Sequence, residues 1–169
     1  NDLIVSGIYA YVATSDDVAE LQIMNIATPT APFRTATFNL NSGSQGANAL
    51  SIELDPPRII IGRNASAAPE LYLIDASNPL SLLLIQTLEI GANVQSISCD
   101  PGVGYAFLAT SNTTSDMRII DITNPPAMSP LAQLNIANSP IQTAYDMNLD
   151  RVFFVGTNDA QELQIIRPQ

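Results

Sequence analysis

Sixteen aspartates and glutamates stand against six arginines in this chain of 169 residues, which has no lysine, no histidine and a formal net charge of −10. Those residue types limit what chemistry the chain can do alone. Without imidazole there is no Ser-His-Asp or Cys-His arrangement and no histidine metal ligand; without lysine there is no Schiff base and no phosphate-binding P-loop. Carboxylates, tyrosines and arginines remain. Two carboxylates, Glu53 and Asp146, align with Ile4 and Ser98 when the repeats described below are superimposed. If both point into a common channel they form a weak cation site, with calcium, which takes hard oxygen ligands, as the candidate. Asp75 and Asp121 recur once per repeat without the dense D-x-D-x-D-G spacing of a calcium loop, and read as turn caps instead. The negative charge would repel a phosphate backbone, which disfavours nucleic acid as a partner.

These residues are carried by a phrase that recurs four times. It runs YAYVATSDDVAELQIMNIATP from Tyr9, RIIIGRNASAAPELYLIDASNP from Arg58, YAFLATSNTTSDMRIIDITNP from Tyr105 and RVFFVGTNDAQELQIIRP from Arg151. The small residues Ala13, Gly62, Ala109 and Gly156 recur at 49, 47 and 47 residues, and the first aliphatics of the following run, Leu21, Leu71, Met117 and Leu163, at 50, 46 and 46. A unit of forty-odd residues built of short β-branched and aromatic runs, bounded by Asn, Asp, Pro and Gly, is the signature of an all-β propeller or solenoid. The expected domain is a single one over 1–169, with units at about 1–40, 47–90, 94–136 and 141–169. Each unit should hold four antiparallel strands, A to D from the axis outward, except the last, which stops after strand C. About fifteen strands are expected, and a four-bladed disc that closes on itself is favoured over an arc of a larger propeller.

Strand C shows why the units must stack. Leu21 and Ile23, Leu71 and Leu73, Met117 and Ile119, Leu163 and Ile165 occupy one face, while Met24, Tyr72, Ile74, Ile120 and Ile166 make the other at least half apolar. A sheet apolar on both faces needs neighbours, and each further aliphatic side chain buried contributes about 1.5–3 kcal/mol. After strand C, Asn25, Asp75 and Asp121 precede IATP, ASNP and ITNP, where an Asx side chain accepts backbone amides and Pro fixes φ. Arg167 stands at that place in the fourth unit. Cys99, the single cysteine, reads as a buried, inert thiol.

The segments LYLIDASNP and MRIIDITNP, each following an alternating aromatic or aliphatic strand, resemble the LVIVD repeat, a β-propeller repeat family of bacterial and archaeal proteins. The resemblance implies a propeller scaffold outside the cytoplasm and supplies no catalytic residues. No run approaches the length of a membrane span, and the absence of an initiating Met or basic leader reads as a segment whose targeting information lies elsewhere.

Function is expected in the variable polar loops. The B–C loops carry Ser15, Asp16, Asp17, Asn64, Asn112, Asn158 and Asp159, and share one face of a propeller with the D–A loops. Asn64-Ala65-Ser66 and Asn112-Thr113-Thr114 are also glycosylation sequons. Two function classes follow. One is a non-enzymatic extracellular or cell-surface scaffold whose loop face engages a protein, a glycan or copies of itself, with no cofactor. The other is a metal-dependent propeller hydrolase or lactonase using Glu53 and Asp146.

Overall fold

The computed structural model describes residues 1–41, 46–54, 57–100, 104–124, 127–137 and 139–167, without the side chains of Asn48, Leu50, Ile52, Glu53, Leu54, Asn124 and Ala127. Over these residues the chain forms fifteen strands in four antiparallel sheets, a stack of β-propeller blades. Blade 1 is β1 (Asp2–Ser6), β2 (Tyr9–Ala13), β3 (Leu21–Asn25) and β4 (Phe33–Phe38). Blade 2 is β5 (Ala47–Leu54), β6 (Pro57–Arg63), β7 (Leu71–Asp75) and β8 (Leu83–Leu88). Blade 3 is β9 (Val94–Asp100), β10 (Tyr105–Thr110), β11 (Met117–Asn124) and β12 (Ala127–Leu134). Blade 4 has three strands, β13 (Pro140–Asp146), β14 (Arg151–Gly156) and β15 (Leu163–Ile166). In every sheet hydrogen-bonded neighbours are also sequence neighbours, so each blade is a meander joined by hairpins.

The turns use the residues that sequence singled out. Asn25, Asp75 and Asp121 accept the amides of Ala27, Ser77 and Thr123 at 2.9, 2.8 and 2.9 Å. Hydroxyl and amide donors from Ser77 and Thr123 hold the Asp75 and Asp121 carboxyls below the ordinary aspartate value. Gly104, in the first hairpin of blade 3, has φ +80°, and a Cβ there would meet the Thr123 Cγ2 at 2.6 Å. Both the backbone and the space require glycine.

Three apolar cores join the four blades. Tyr11, Ala13, Leu21 and Ile23 pack against Ile59, Ile61, Tyr72 and Ile74; Ile60, Leu71 and Leu73 against Val94, Ile97, Leu108 and Ile120; Phe107, Ala109 and Met117 against Val152 and Phe154. Cys99 is half-buried at the edge of the second core. Polar ties run between inner strands as well: Ser98 and Thr143 hydroxyls lie 3.1 Å apart, and the Thr143 amide donates to Ser96 Oγ at 3.1 Å. Arg58, buried in β6, donates from Nη1 to the Ile122 carbonyl of blade 3 at 2.8 Å.

The expected closed disc is not what forms. A closed ring of four needs a fourth core, whereas the described residues form three, and the two end blades present uncovered outer faces. Leu163 and Ile165 are 57% and 56% exposed in the columns where Leu21, Ile23, Leu71 and Leu73 are fully buried. Leu3 and Val5 are exposed on the opposite face of blade 1. The register differs in blade 4 as well. Ala13, Gly62 and Ala109 pair with Leu21, Leu71 and Met117, but in blade 4 the residue opposite Leu163 is Val155, not Gly156 as the aligned phrases suggested. A Cβ on Gly62 would lie 2.4 Å from Val94 Cγ1, so the next blade comes close only over a small residue.

Candidate functional site

The innermost strands place Glu53 and Asp146 in one column, with different companions from those expected. Paired to Tyr9, Arg58, Tyr105 and Arg151 at or near the starts of the second strands, the column reads Ser6, Glu53, Asp100 and Asp146. Ile4 and Ser98 sit two residues further along their strands. The side chain of Glu53 lies outside the described residues. The Asp146 carboxylate accepts the amides of Asn148 and Leu149 at 2.8 and 3.2 Å, which closes its own hairpin turn. Among the described residues no group of three or more metal-ligating side chains converges.

A second carboxylate column went unread in the sequence. Glu20, Glu70 and Asp116, each the residue just before the third strand of its blade, are buried. Each accepts the amide of the residue twenty positions on, where the fourth strand ends: Leu40 to Glu20 at 3.0 Å, Ile90 to Glu70 at 2.8 Å, Ile136 to Asp116 at 2.7 Å. Glu70 also takes Gly91 at 2.9 Å and Ser66 at 3.3 Å. Burial disfavours its charge, but these amides and the Glu89 carboxyl outweigh burial and hold Glu70 below the ordinary glutamate value. The signal was present as an acid before the first aliphatic of strand C in every unit, including Glu162 in the fourth. Glu162 is exposed.

These carboxylates tie the D–A connections to the B–C loops and make one continuous loop face. Thr14, Thr110 and Arg63 end the second strands and close the loops that follow: Thr14 Oγ1 donates to the Ala19 carbonyl at 2.9 Å, Thr110 Oγ1 to the Ser115 carbonyl at 3.1 Å, and Arg63 Nη1 to the Ala68 carbonyl at 3.2 Å. Asn93 Oδ1 accepts the Ala65 amide at 2.9 Å and the Asn93 amide donates to Ser111 Oγ at 3.1 Å, so it bridges two blades. Asn158 Nδ2 donates to the Ala137 carbonyl at 2.8 Å.

The predicted loop residues divide on this face. Asp16 caps the Val18 amide at 3.0 Å, while Ser15 and Asp17 are exposed beside it in blade 1. Asn64 lies half-buried in blade 2, and Asp159 is exposed in blade 4. Asn112 accepts the amides of Thr114 and Ser115 at 2.9 and 3.0 Å, and Asn158 that of Ala160 at 3.0 Å, so both shape their loops. Of the predicted loop residues, Asn112 lines a cleft of about 350 Å³ between blades 3 and 4, with Gln95, Ser111, Thr113, Asp116 and Thr157. Its wall mixes hydroxyl, amide and carboxylate groups with the apolar Ala137, Pro140 and Ile141. Sequence reasoning named the loops but not the cleft, because the cleft arises from two blades meeting.

Comparison with known proteins agrees with this architecture. The profile of the LVIVD repeat matches residues 1–39 and 102–132, so the chain carries this repeat in its first and third blades. Among solved structures, the chain is similar to one in a crystal structure of the mitotic checkpoint complex, with a TM-score of 0.75 and 11% identity over 96% of this chain and 47% of that one. It is also similar to an auxiliary nutrient binding protein from Bacteroides thetaiotaomicron, with a TM-score of 0.60 and 11% identity over 97% of this chain and 39% of that one. The chain therefore spans less than half the length of either, and the likeness shows the propeller fold. No curated protein matches the sequence.

Proposed function

We propose that this LVIVD-repeat propeller is a non-enzymatic interaction scaffold, displayed outside the cell or on its surface, that engages a polar protein or glycan partner through its loop face. The cleft between blades 3 and 4 carries the reading. Its polar lining is hydroxyls and amides with the Asp116 carboxylate, which the Ile136 amide engages, and Ala137, Pro140 and Ile141 add an apolar side. Such groups on a rigid sheet scaffold suit recognition of uncharged polar ligands, since little order is lost on binding. The net charge of −10 acts against polyanions as partners. The nutrient-binding neighbour supports a binding role for the fold, and the LVIVD resemblance supports the external location.

The test is equilibrium binding of the chain to arrayed neutral oligosaccharides and to surface-protein peptides, compared with a Gln95→Ala/Thr157→Val double variant. Both side chains line the cleft. A partner of the loop face should bind the variant at least about tenfold more weakly, the equivalent of one or two lost hydrogen bonds. Partners that bind both proteins equally would contradict the assignment of the cleft.

A further inference from the structure

Three junctions between blades open onto the loop face, and each is finished differently. The residue just before the first strand of the following blade occupies the same place in all three. Gly46, Asn93 and Ser139 precede Ala47, Val94 and Pro140, which pair with Arg63, Thr110 and Gly156 at the ends of the second strands. Between blades 1 and 2 the backbones themselves meet, since a Cβ on Gly46 would lie 2.5 Å from the Ser15 Cα. Between blades 2 and 3 Asn93 spans the gap. Its Oδ1 accepts the Ala65 amide at 2.9 Å, its amide donates to Ser111 Oγ at 3.1 Å, and its carbonyl accepts the Ser111 amide at 3.0 Å. Between blades 3 and 4 the counterpart of Asn93 is Ser139, and the cleft of about 350 Å³ lies there instead of a bridge.

The groups that Asn93 holds have counterparts in that cleft. Ala65 stands two residues past the end of β6 and Ser111 one past the end of β10; the same steps from β10 and β14 give Asn112 and Thr157. Both line the cleft together with Ser139. Among the described residues the Asn112 amide reaches only Thr110 Oγ1, at 3.4 Å, and the Thr157 and Ser139 hydroxyls make no hydrogen bond. On the reading of this cleft as the ligand site, we infer that it takes the acetamido group of an N-acetylated sugar. The acetamido carbonyl accepts from the Asn112 amide and its N–H donates to Thr157 Oγ1, as Asn93 does for Ala65 and Ser111 in the neighbouring junction. The acetyl methyl has an apolar side to meet, Ala137, Pro140 and Ile141, of which Ile141 is 53% exposed. Sugar hydroxyls, which both donate and accept, match Gln95 and Thr113 beside them. A few placed polar groups against an apolar wall, in a space of this size, make a small-molecule site.

The probe is free N-acetylglucosamine, titrated into the nitrogen-15-labelled chain beside glucose, in which a hydroxyl replaces the acetamido group. The amide resonances of Asn112 and Thr157 should shift saturably with N-acetylglucosamine, and glucose should bind at least tenfold more weakly. Ser139→Asn supplies the missing carboxamide from the protein itself and should abolish binding. Ser139 has φ +46°, a left-handed backbone that asparagine adopts readily, so the exchange suits the turn. Thr157→Val should weaken binding several-fold, and the amide spectrum of each variant reports its fold. Equal binding of the two sugars, no shift with N-acetylglucosamine, or unaltered binding by a folded Ser139→Asn would overturn the inference. Tighter binding of N-acetylasparagine N-methylamide than of the sugar would assign the cleft to a peptide amide and overturn it as well. A neutral ligand that separates the wild type from the Gln95→Ala/Thr157→Val variant but is indifferent to an acetamido group would overturn this assignment alone and leave the cleft as the binding site.

Discussion

The second and fourth blades share a strand pattern and differ in what completes it. In blade 2 an acid ahead of the third strand is buried under three amides, and the fourth strand it holds is part of the sheet. In blade 4 the same acid, Glu162, is exposed, and among the described residues no strand pairs with the outer edge of β15. The difference teaches that the carboxylate column belongs to the mechanics of blade closure. It fastens the outermost strand to the loop face, because the amides at the end of that strand would otherwise be buried without a partner.

The comparison can be broken most forcefully at the clamp itself. Glu70→Ala leaves the buried Ile90 amide without its acceptor, while the exposed Gly91 keeps Glu89 and Ser66 can reach solvent, and should lower stability by roughly 1–3 kcal/mol. Glu162→Ala should change it by less than about 0.5 kcal/mol, as exposed substitutions usually do. Urea denaturation of the two variants reads both values, and equal losses would remove the distinction between the blades. The next effect is steric. Gly62→Val forces a side chain against Val94 and should cost about 1–3 kcal/mol by overpacking, while Val155→Ala in the same column of blade 4 should be nearly neutral.

Acid sharpens the same contrast. The Glu70 pKa is lowered in the folded state, so the unfolded chain takes up the proton first as pH falls. Its contribution is complete above about pH 4.3, the ordinary glutamate value, and is lost as pH drops through the lower native value. Denaturation midpoints measured from pH 6 to pH 3 should fall more steeply for the wild type than for Glu70→Gln, and parallel curves would contradict the clamp. The smallest change is at the turns. Asn25→Ala removes the cap on the Ala27 amide at an exposed site and should cost about 0.5 kcal/mol.

Much of this architecture could be read from the chain. The fourfold phrase yields fifteen strands, and Asn25, Asp75 and Asp121 cap the turns their positions suggested. What escaped was whatever depends on register between distant strands. Gly156 matched the small-residue column by composition, yet pairing puts Val155 there. Ile4 and Ser98 were placed beside Glu53 and Asp146 by counting, but the ladder assigns Ser6 and Asp100 to that height. Glu20, Glu70, Asp116 and Glu162 stand as a repeated acid in the sequence, but the burial of the first three follows only from the amides twenty residues on that they accept. The cleft next to Asn112 was legible as two loops and not as one cavity.

Amide hydrogen exchange, resolved by residue, on the wild type and on Glu70→Ala tests the carboxylate clamp most directly. The amides of Leu40, Ile90 and Ile136 should exchange only with opening of their blades in the wild type, and Glu70→Ala should speed exchange at Ile90 while leaving Leu40 and Ile136 slow. Exchange at Ile90 as slow in Glu70→Ala as in the wild type would contradict it.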